Sequence, residues 1–304
     1  MASMLRGFIT RRVLARVLLP VALCTALGLA PTTALTQGAP DRIVTAGGDV
    51  TEIVHALGMA GSLVGVDTTS YYPDAVRDLP QIGYMRSLSA EGILALKPDL
   101  LIGSINAGPP PVLAQLRGAG VRVETLPDAE DLDGIAAKIA AVGALLGRNA
   151  EADAVVATIR ARMAQVDKAL DRFSHHPRLA FLLDLREGVV LMAGRKTAAD
   201  GIFRMIRADN VFHDTHEGYK AISAEGMLAT APDAIILMSS RLEALGGLAA
   251  LQANPVLSRL PAVIEGRVLG MDGILLLGFG PRTPAAAEEL ARFAYGPDFA
   301  QEQP

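Results

Sequence analysis

Leu88–Ile102 reads LSAEGILALKPDLLI, and Ile222–Ile236 reads ISAEGMLATAPDAII. At an offset of 134 residues the two agree at nine of fifteen positions, and a Gly-Tyr pair leads each copy: Gly83-Tyr84 and Gly218-Tyr219. Each copy carries the same physical instructions. Ser89 or Ser223 can cap a helix by accepting a backbone N–H from its first turn. Glu91 or Glu225 follows in that turn, where the helix dipole favours negative charge. A short apolar helix then stops before Pro98 or Pro232, and the apolar run beyond is short enough to be a buried strand. Solenoid repeats recur every ~20–50 residues, so a pair this far apart marks a duplicated lobe. Two similar α/β lobes facing each other are expected, with specificity in the unrepeated residues beside each copy.

Working outward, residues 41–126 alternate strand and helix patterns. Arg42–Thr45 is an expected strand entering the turn Ala46–Asp49, Thr51–Leu57 a helix, Leu63–Val66 a strand, Val112–Arg117 a helix and Val121–Leu126 a strand. Such alternation implies a parallel, doubly wound sheet. The Gly47-Gly48 turn lacks the G-x-G-x-x-G spacing of a dinucleotide site. From Asp131 to Phe173 the pattern is helical, with Gly147 ending one element and a second running from Ala150 through Leu170 without Gly or Pro. That second helix, roughly 24 residues and ~36 Å long, is suited to join two lobes as a stiff strut. Strands at Arg178–Leu183 and Val189–Met192 open the second half, followed by a helix at Thr197–Ile206, the second repeat, and a strand at Arg267–Gly270.

The first residues read as an export leader. Arg6, Arg11, Arg12 and Arg16 precede an apolar run from Val17 to Ala30, and no acidic residue occurs before Asp41. The run is too short for a spanning helix of ~20 residues. Thr10-Arg11-Arg12 is compatible with a twin-arginine signal, and cleavage is open between Ala34 and Ala39. Cys24, the one cysteine, lies inside the apolar run after Leu23, where a lipoprotein signal would want a small residue. The mature chain is therefore expected to be exported, soluble, and free of disulfides and thiolate metal sites. Losing four arginines would move the formal charge from −4 to −8. An acidic chain without Trp is a poor nucleic-acid binder. The expected divisions are a leader over 1–38, a first lobe over 39–148, a linking helix over 149–173 and a second lobe over 174–304.

GGDVTEIVHALG (Gly47–Gly58), the YYP at Tyr71–Pro73, GYMRSLSAEG (Gly83–Gly92), AGRKTAAD (Ala193–Asp200) and GYK (Gly218–Lys220) together resemble the periplasmic haem-binding proteins that serve ABC haem importers. These belong to the helical-backbone, class III superfamily of substrate-binding proteins, which also binds cobalamin and ferric siderophores. The resemblance implies two Rossmann-like lobes with parallel sheets, joined by a long rigid helix, with the ligand cleft between them. It implies a periplasmic carrier that captures ferric haem and passes it to an inner-membrane ABC permease and its ATPase, with an outer-membrane haem receptor upstream. Tyr84 matches the family's axial iron ligand and Arg86 its assisting arginine. Cobalamin or a ferric siderophore is the alternative ligand, and a haem-modifying enzyme on the same fold the more distant one.

Chemistry favours the Tyr-x-Arg element independently. Phenolate oxygen suits ferric haem iron, a free phenol ionises only near pH ~10, and a nearby guanidinium, always charged, favours the phenolate. Only the first copy of the repeat has Arg two residues after its Tyr. Met85, Met271, Leu275–Leu277 and Phe279 are candidate apolar walls, Tyr71 and Tyr72 candidate entrance residues, and Arg195, Lys196, Tyr219 and Lys220 candidate propionate contacts. His213 and His216 are candidates for a second iron ligand; His55 reads as structural. Asp49, Glu52 and Asp67 are the acids that an enzyme reading would use. There is no H-E-x-x-H and no G-x-S-x-G. Glu91 and Glu225, at matching points of the two lobes, are expected to dock on arginines of a two-fold symmetric permease, as matching glutamates do in this superfamily.

Overall fold

The computed structural model describes residues 40–300 apart from 187 and 188. The leader expected over 1–38, with Cys24 and the paired arginines, lies outside the described residues. In chain order the elements are β1 (Ile43–Ala46), α1 (Gly48–Ala56), β2 (Leu63–Val66), α2 (Ala90–Ala95), β3 (Leu100–Ser104), α3 (Pro110–Gly118), β4 (Arg122–Leu126), α4 (Leu132–Leu146) and α5 (Asn149–Leu170). They continue as β5 (Arg178–Arg186), β6 (Val189–Ala193), α6 (Ala198–Met205), β7 (Asp209–Asn210), β8 (Tyr219–Ile222), α7 (Ala224–Thr230), β9 (Ala234–Met238), α8 (Ser239–Leu245), α9 (Gly247–Ala253), α10 (Pro261–Ile264), β10 (Val268–Met271), α11 (Gly273–Leu277) and α12 (Thr283–Tyr295).

The first sheet has the order β2-β1-β3-β4 and is parallel throughout. The second has the order β10-β9-β5-β6-β8, with β7 beside β5. Its β10-β9-β5 part is parallel, but β6 runs antiparallel to both β5 and β8. The second sheet is thus mixed where a parallel one was expected. Two residues separate β5 from β6, and a parallel return needs a crossover of a dozen or more.

The duplication is structural as well as sequential. The trios β1-β3-β4 and β5-β9-β10 pair in the same order, with the repeat supplying α2 and β3 in one and α7 and β9 in the other. Ser89 and Ser223 cap their helices, accepting from Gly92 N at 3.5 Å and Gly226 N at 3.1 Å. Both helices end on a left-handed residue, Lys97 (φ 49°) and Ala231 (φ 38°), immediately before the proline. Arg42 donates to the carbonyls of Leu96 and Lys97, and Arg178 to those of Thr230 and Ala231. Each arginine thereby satisfies carbonyls that the ending helix leaves open. Asp99 and Asp233 complete the device by accepting the backbone N–H of Arg42 and Arg178, at 3.0 and 2.8 Å.

Strand alternation sorts the core into three parts. Val44 and Leu101 face a cluster with Leu113 and Leu116 of α3. Ala180, Leu182, Ile235 and Leu237 face another with Leu251 and Leu257. The opposite faces of both sheets, through Ile43, Leu100, Ile102, Leu179, Phe181 and Ile236, join one cluster with α4, α5 and α12. Helix α5, at 22 residues or ~33 Å, puts Ala152, Ile159, Met163, Val166 and Leu170 into that shared core. Gly143 lets α4 approach it, since a Cβ there would lie 2.6 Å from that of Ala152. Arg160 of α5 pairs with Asp133 of α4 at 2.7 Å, and Arg207 pairs with Asp171 at 3.0 Å and with Asp167 near the other end. One helix is therefore fastened to both halves. No helix among the described residues is long and apolar enough to cross a membrane.

A part-buried ion pair adds a direct tie. Glu52 of α1 accepts from Arg282, the residue before α12, through both carboxylate oxygens, with Nε at 3.0 Å from Oε2. Burial raises the Glu52 carboxyl, and the Arg282 bond and charge oppose that rise. Arg282 also lies over the Tyr72 ring, 3.7 Å from its centroid. Removing Arg282 strands the buried Glu52 charge, whereas Arg282 without Glu52 keeps Asp272 at 3.9 Å. Arg282→Ala is expected to cost about 3 kcal/mol in urea unfolding, against no more than ~0.5 kcal/mol for Arg160→Ala in an exposed pair. Equal losses would mean that the Glu52–Arg282 contact contributes no more than a surface bridge.

Candidate functional site

A cleft of about 690 Å³ opens between the lobes, where the C-terminal ends of the strands meet the starts of the following helices. Its first-lobe wall is a stitched loop. Gly83, at φ 92°, turns the chain after the segment that pairs Gln81 with Val66. Ser87 N then donates to Tyr84 O at 2.7 Å, Gly108 N to Met85 O at 2.9 Å, and Thr68 N to Gly83 O at 3.0 Å. This bonding fixes the backbone beneath Tyr84, Met85 and Arg86, all three of which line the cleft. The Tyr84 side chain is left 46% exposed.

Tyr219, at the start of β8, and Lys196 line the opposite wall. Tyr219 is 39% exposed, its ring edge-on to Phe181 at 6.4 Å between centroids. Desolvation raises its phenol pKa, and the charge of Arg86 acts across the cleft to lower it. The structure thus brings Tyr84, Met85, Arg86, Lys196 and Tyr219 to one cavity. Arg195 and Lys220 are not lining residues; Arg195 lies 3.7 Å from Glu217.

The floor is polar. Lys138 is 4% exposed and donates to Asp49 Oδ2 at 2.6 Å. Asp128 accepts from Ser104 Oγ and Asn106 Nδ2 at 3.2 and 2.8 Å. Tyr71 also lines the cleft, its hydroxyl accepting from Ile274 N at 3.3 Å. Burial and a bond to Asp272 push its pKa up to about 12, so it stays a neutral phenol. Tyr72 instead stacks under Arg282, outside the cleft lining.

Several other candidates fall elsewhere. Met271, Leu276 and Phe279 are core side chains at 0–1% exposure, leaving Leu277 as the wall residue of that run. The apolar run there alternates between cleft and core because α11 is helical. His216 is buried, with Nε2 3.1 Å from Met192 O, so it is a core group rather than an iron ligand. His213 holds Nδ1 2.9 Å from the buried Asp200 and does not line the cleft. The acids of an enzyme reading are engaged: Asp49 with Lys138, Glu52 with Arg282, and Asp67 with Gly47 N, Thr69 and Ser70. Lys138 went unread in the sequence, although a lysine amid the apolar stripe Ile135, Ile139, Val142 was its signal. Arg282, in a loop, had none.

A family model described as periplasmic binding protein matches residues 43–275. The chain is similar to a periplasmic haem-binding protein, RhuT from Roseiflexus sp. RS-1, at 38% identity, covering 86% of this chain and 99% of that one, with a TM-score of 0.81. A periplasmic haem-binding protein from Pseudomonas aeruginosa is 41% identical, covering 84% and 93%, with a TM-score of 0.78. The vitamin B12-binding protein of Pectobacterium atrosepticum is 26% identical over 71% of this chain and 77% of its own length.

The cleft floor leaves no room at Gly48. A Cβ there would sit 2.5 Å from Thr69 O and 3.0 Å from Ile274 Cγ2, one from each half of the chain. Gly48→Ala is expected to cost ~1–3 kcal/mol by overpacking. Gly118→Ala, with nothing within 4 Å, is expected to gain ~0.4–1 kcal/mol through the unfolded chain. Thermal melts of both variants check the contrast; equal shifts would mean the floor is not packed as described.

Proposed function

The chain belongs to the periplasmic binding protein family, and on that premise we propose that it captures ferric haem in the periplasm and delivers it to an ABC haem permease. The observation that carries the reading is the presentation of Tyr84 and Arg86 on one bonded loop, facing Tyr219 and Lys196 across an interlobe cleft. Tyr84 is the axial ligand. Ferric iron favours the phenolate by its own charge, and Arg86 adds a fixed positive charge two residues away. Met85 and Leu277 supply apolar wall, and Lys196 with Tyr219 meets the propionate edge; Arg195 and Lys220 add charge behind them. Haem is cargo here, returned unchanged, which fits a site whose buried acids are already paired. An export leader over 1–38 places the protein in the periplasm, with an outer-membrane haem receptor upstream. The proposed divisions stay at 39–148, 149–173 and 174–304.

The vitamin B12-binding relatives give cobalamin as the second reading. A hemin titration with absorption spectra separates them. The expected outcome is saturable binding with a tyrosinate-type ferric spectrum. Tyr84→Phe should abolish that spectrum and cause the largest loss of affinity of any cleft variant. Arg86→Ala, which removes a supporting group rather than the ligand, should weaken binding about 10- to 100-fold. Retention of the wild-type spectrum by Tyr84→Phe would sink the ligand assignment.

Docking rests on Glu91 and Glu225. Each is the second residue of its repeat helix, and each is exposed. A permease with two-fold symmetry can offer one arginine to each, and arginine–carboxylate contacts are strong when bidentate. Dipole compensation alone, ~0.3–1 kcal/mol, would not require the same acid twice. The double variant Glu91→Ala, Glu225→Ala should bind hemin normally yet lose stimulated ATP hydrolysis in vesicles containing the permease. Undiminished stimulation would move the docking surface elsewhere.

A further inference from the structure

Beside the cleft, the segments around Arg195 and Glu217 are locked together. Arg195 N donates to His216 O and Gly218 N to Arg195 O, both at 3.0 Å, and Gly194 N donates to Gly218 O at 2.8 Å. Gly194 permits this contact, since a Cβ would fall 2.1 Å from His216 O. The next residue, Lys196, is held at φ 57°, a left-handed backbone unusual for lysine. Its Nζ donates to Glu217 Oε1 at 3.0 Å, while Arg195 Nη2 stands 3.7 Å from Glu217 Oε2. Lys196 lines the cleft with Tyr219 and Arg86, so Glu217 draws a cleft lysine onto itself.

We propose that Glu217 is a resident carboxylate, occupying Lys196 and Arg195 until a carboxylate of the ligand takes its place. The inference rests on the reading above, that the cargo is a porphyrin bearing propionates. The chemistry is an exchange of like for like. Lys196 offers three donors on a flexible stem and can swing from one carboxylate to another without moving the backbone. Lys196 first, then Arg195 and Lys220, hold the Glu217 carboxyl below its ordinary range, so it stays ionised and competes at neutral pH. A neutral or cationic ligand cannot displace it, which makes Glu217 a specificity determinant for anionic cargo.

The test compares wild type, Glu217→Gln, Lys196→Ala and the double variant, each titrated with hemin and with hemin dimethyl ester, whose propionates carry no charge. Glu217→Gln is expected to bind hemin about two- to fivefold tighter, the scale of an exposed ion pair. The gain should vanish in the Lys196→Ala background, and Glu217→Gln should leave ester affinity as it is in wild type. Unchanged or weaker hemin binding by Glu217→Gln overturns the inference, as does an equal gain for the ester or a gain that survives without Lys196. If wild type binds neither porphyrin, the haem reading itself falls and takes this one with it.

Discussion

The contact on which the cleft depends is the ion pair between Glu52 and Arg282 beneath its floor. Helix α1 begins at the cleft and carries Glu52 one turn in; Arg282 arrives from the other half of the chain. Glu52 is the buried member, and Arg282, part-buried over the exposed Tyr72 ring, is the charge that answers it. Around this point Tyr71 meets Ile274, and Gly48 leaves no room for a side chain between itself and Thr69 O or Ile274 Cγ2. Above it stand the residues that line the cleft. The floor is therefore made of contacts between the halves, not of a gap spanned by one connector.

Much of the fold was legible because the chain states it twice. The Ser-Ala-Glu-Gly helix start, the proline stop and the apolar strand recur, and each was recovered as a capped helix followed by a parallel strand. What the sequence hid is that the duplication extends to Arg42 and Arg178. They lie far from the repeats along the chain and touch them only once β1 and β5 are paired. The antiparallel β6 was also hidden. Its residues suit either strand direction, and the two-residue link to β5 decides.

The site divides the same way. Tyr84 and Arg86 were singled out by the family pattern beside the repeat, and the turn that Gly83 opens brings them, with Met85, to the cleft wall. The run Met271–Phe279 could not be read this way, because apolar residues on a short helix serve core and cleft alternately. His216 looked like a loop histidine and is a core one, since the loop folds back under Gly194. Lys138 and Glu217 are the instructive misses. Both are charges whose partner, Asp49 or Lys196, lies 89 or 21 residues away.

The core shared by both sheets bears on release. A receptor with independent lobes opens by thermal motion, and its cargo leaves at a rate set by contacts to one wall. Here opening would expose apolar surface around α4, α5 and α12 and separate Glu52 from Arg282. Spontaneous opening would then be rare, and a bound ligand would be held by the scaffold as well as by its contacts to the cleft walls. Such a receptor holds its cargo until something outside the chain does work on it. On the proposed reading, that outside agent would be the permease and its ATPase.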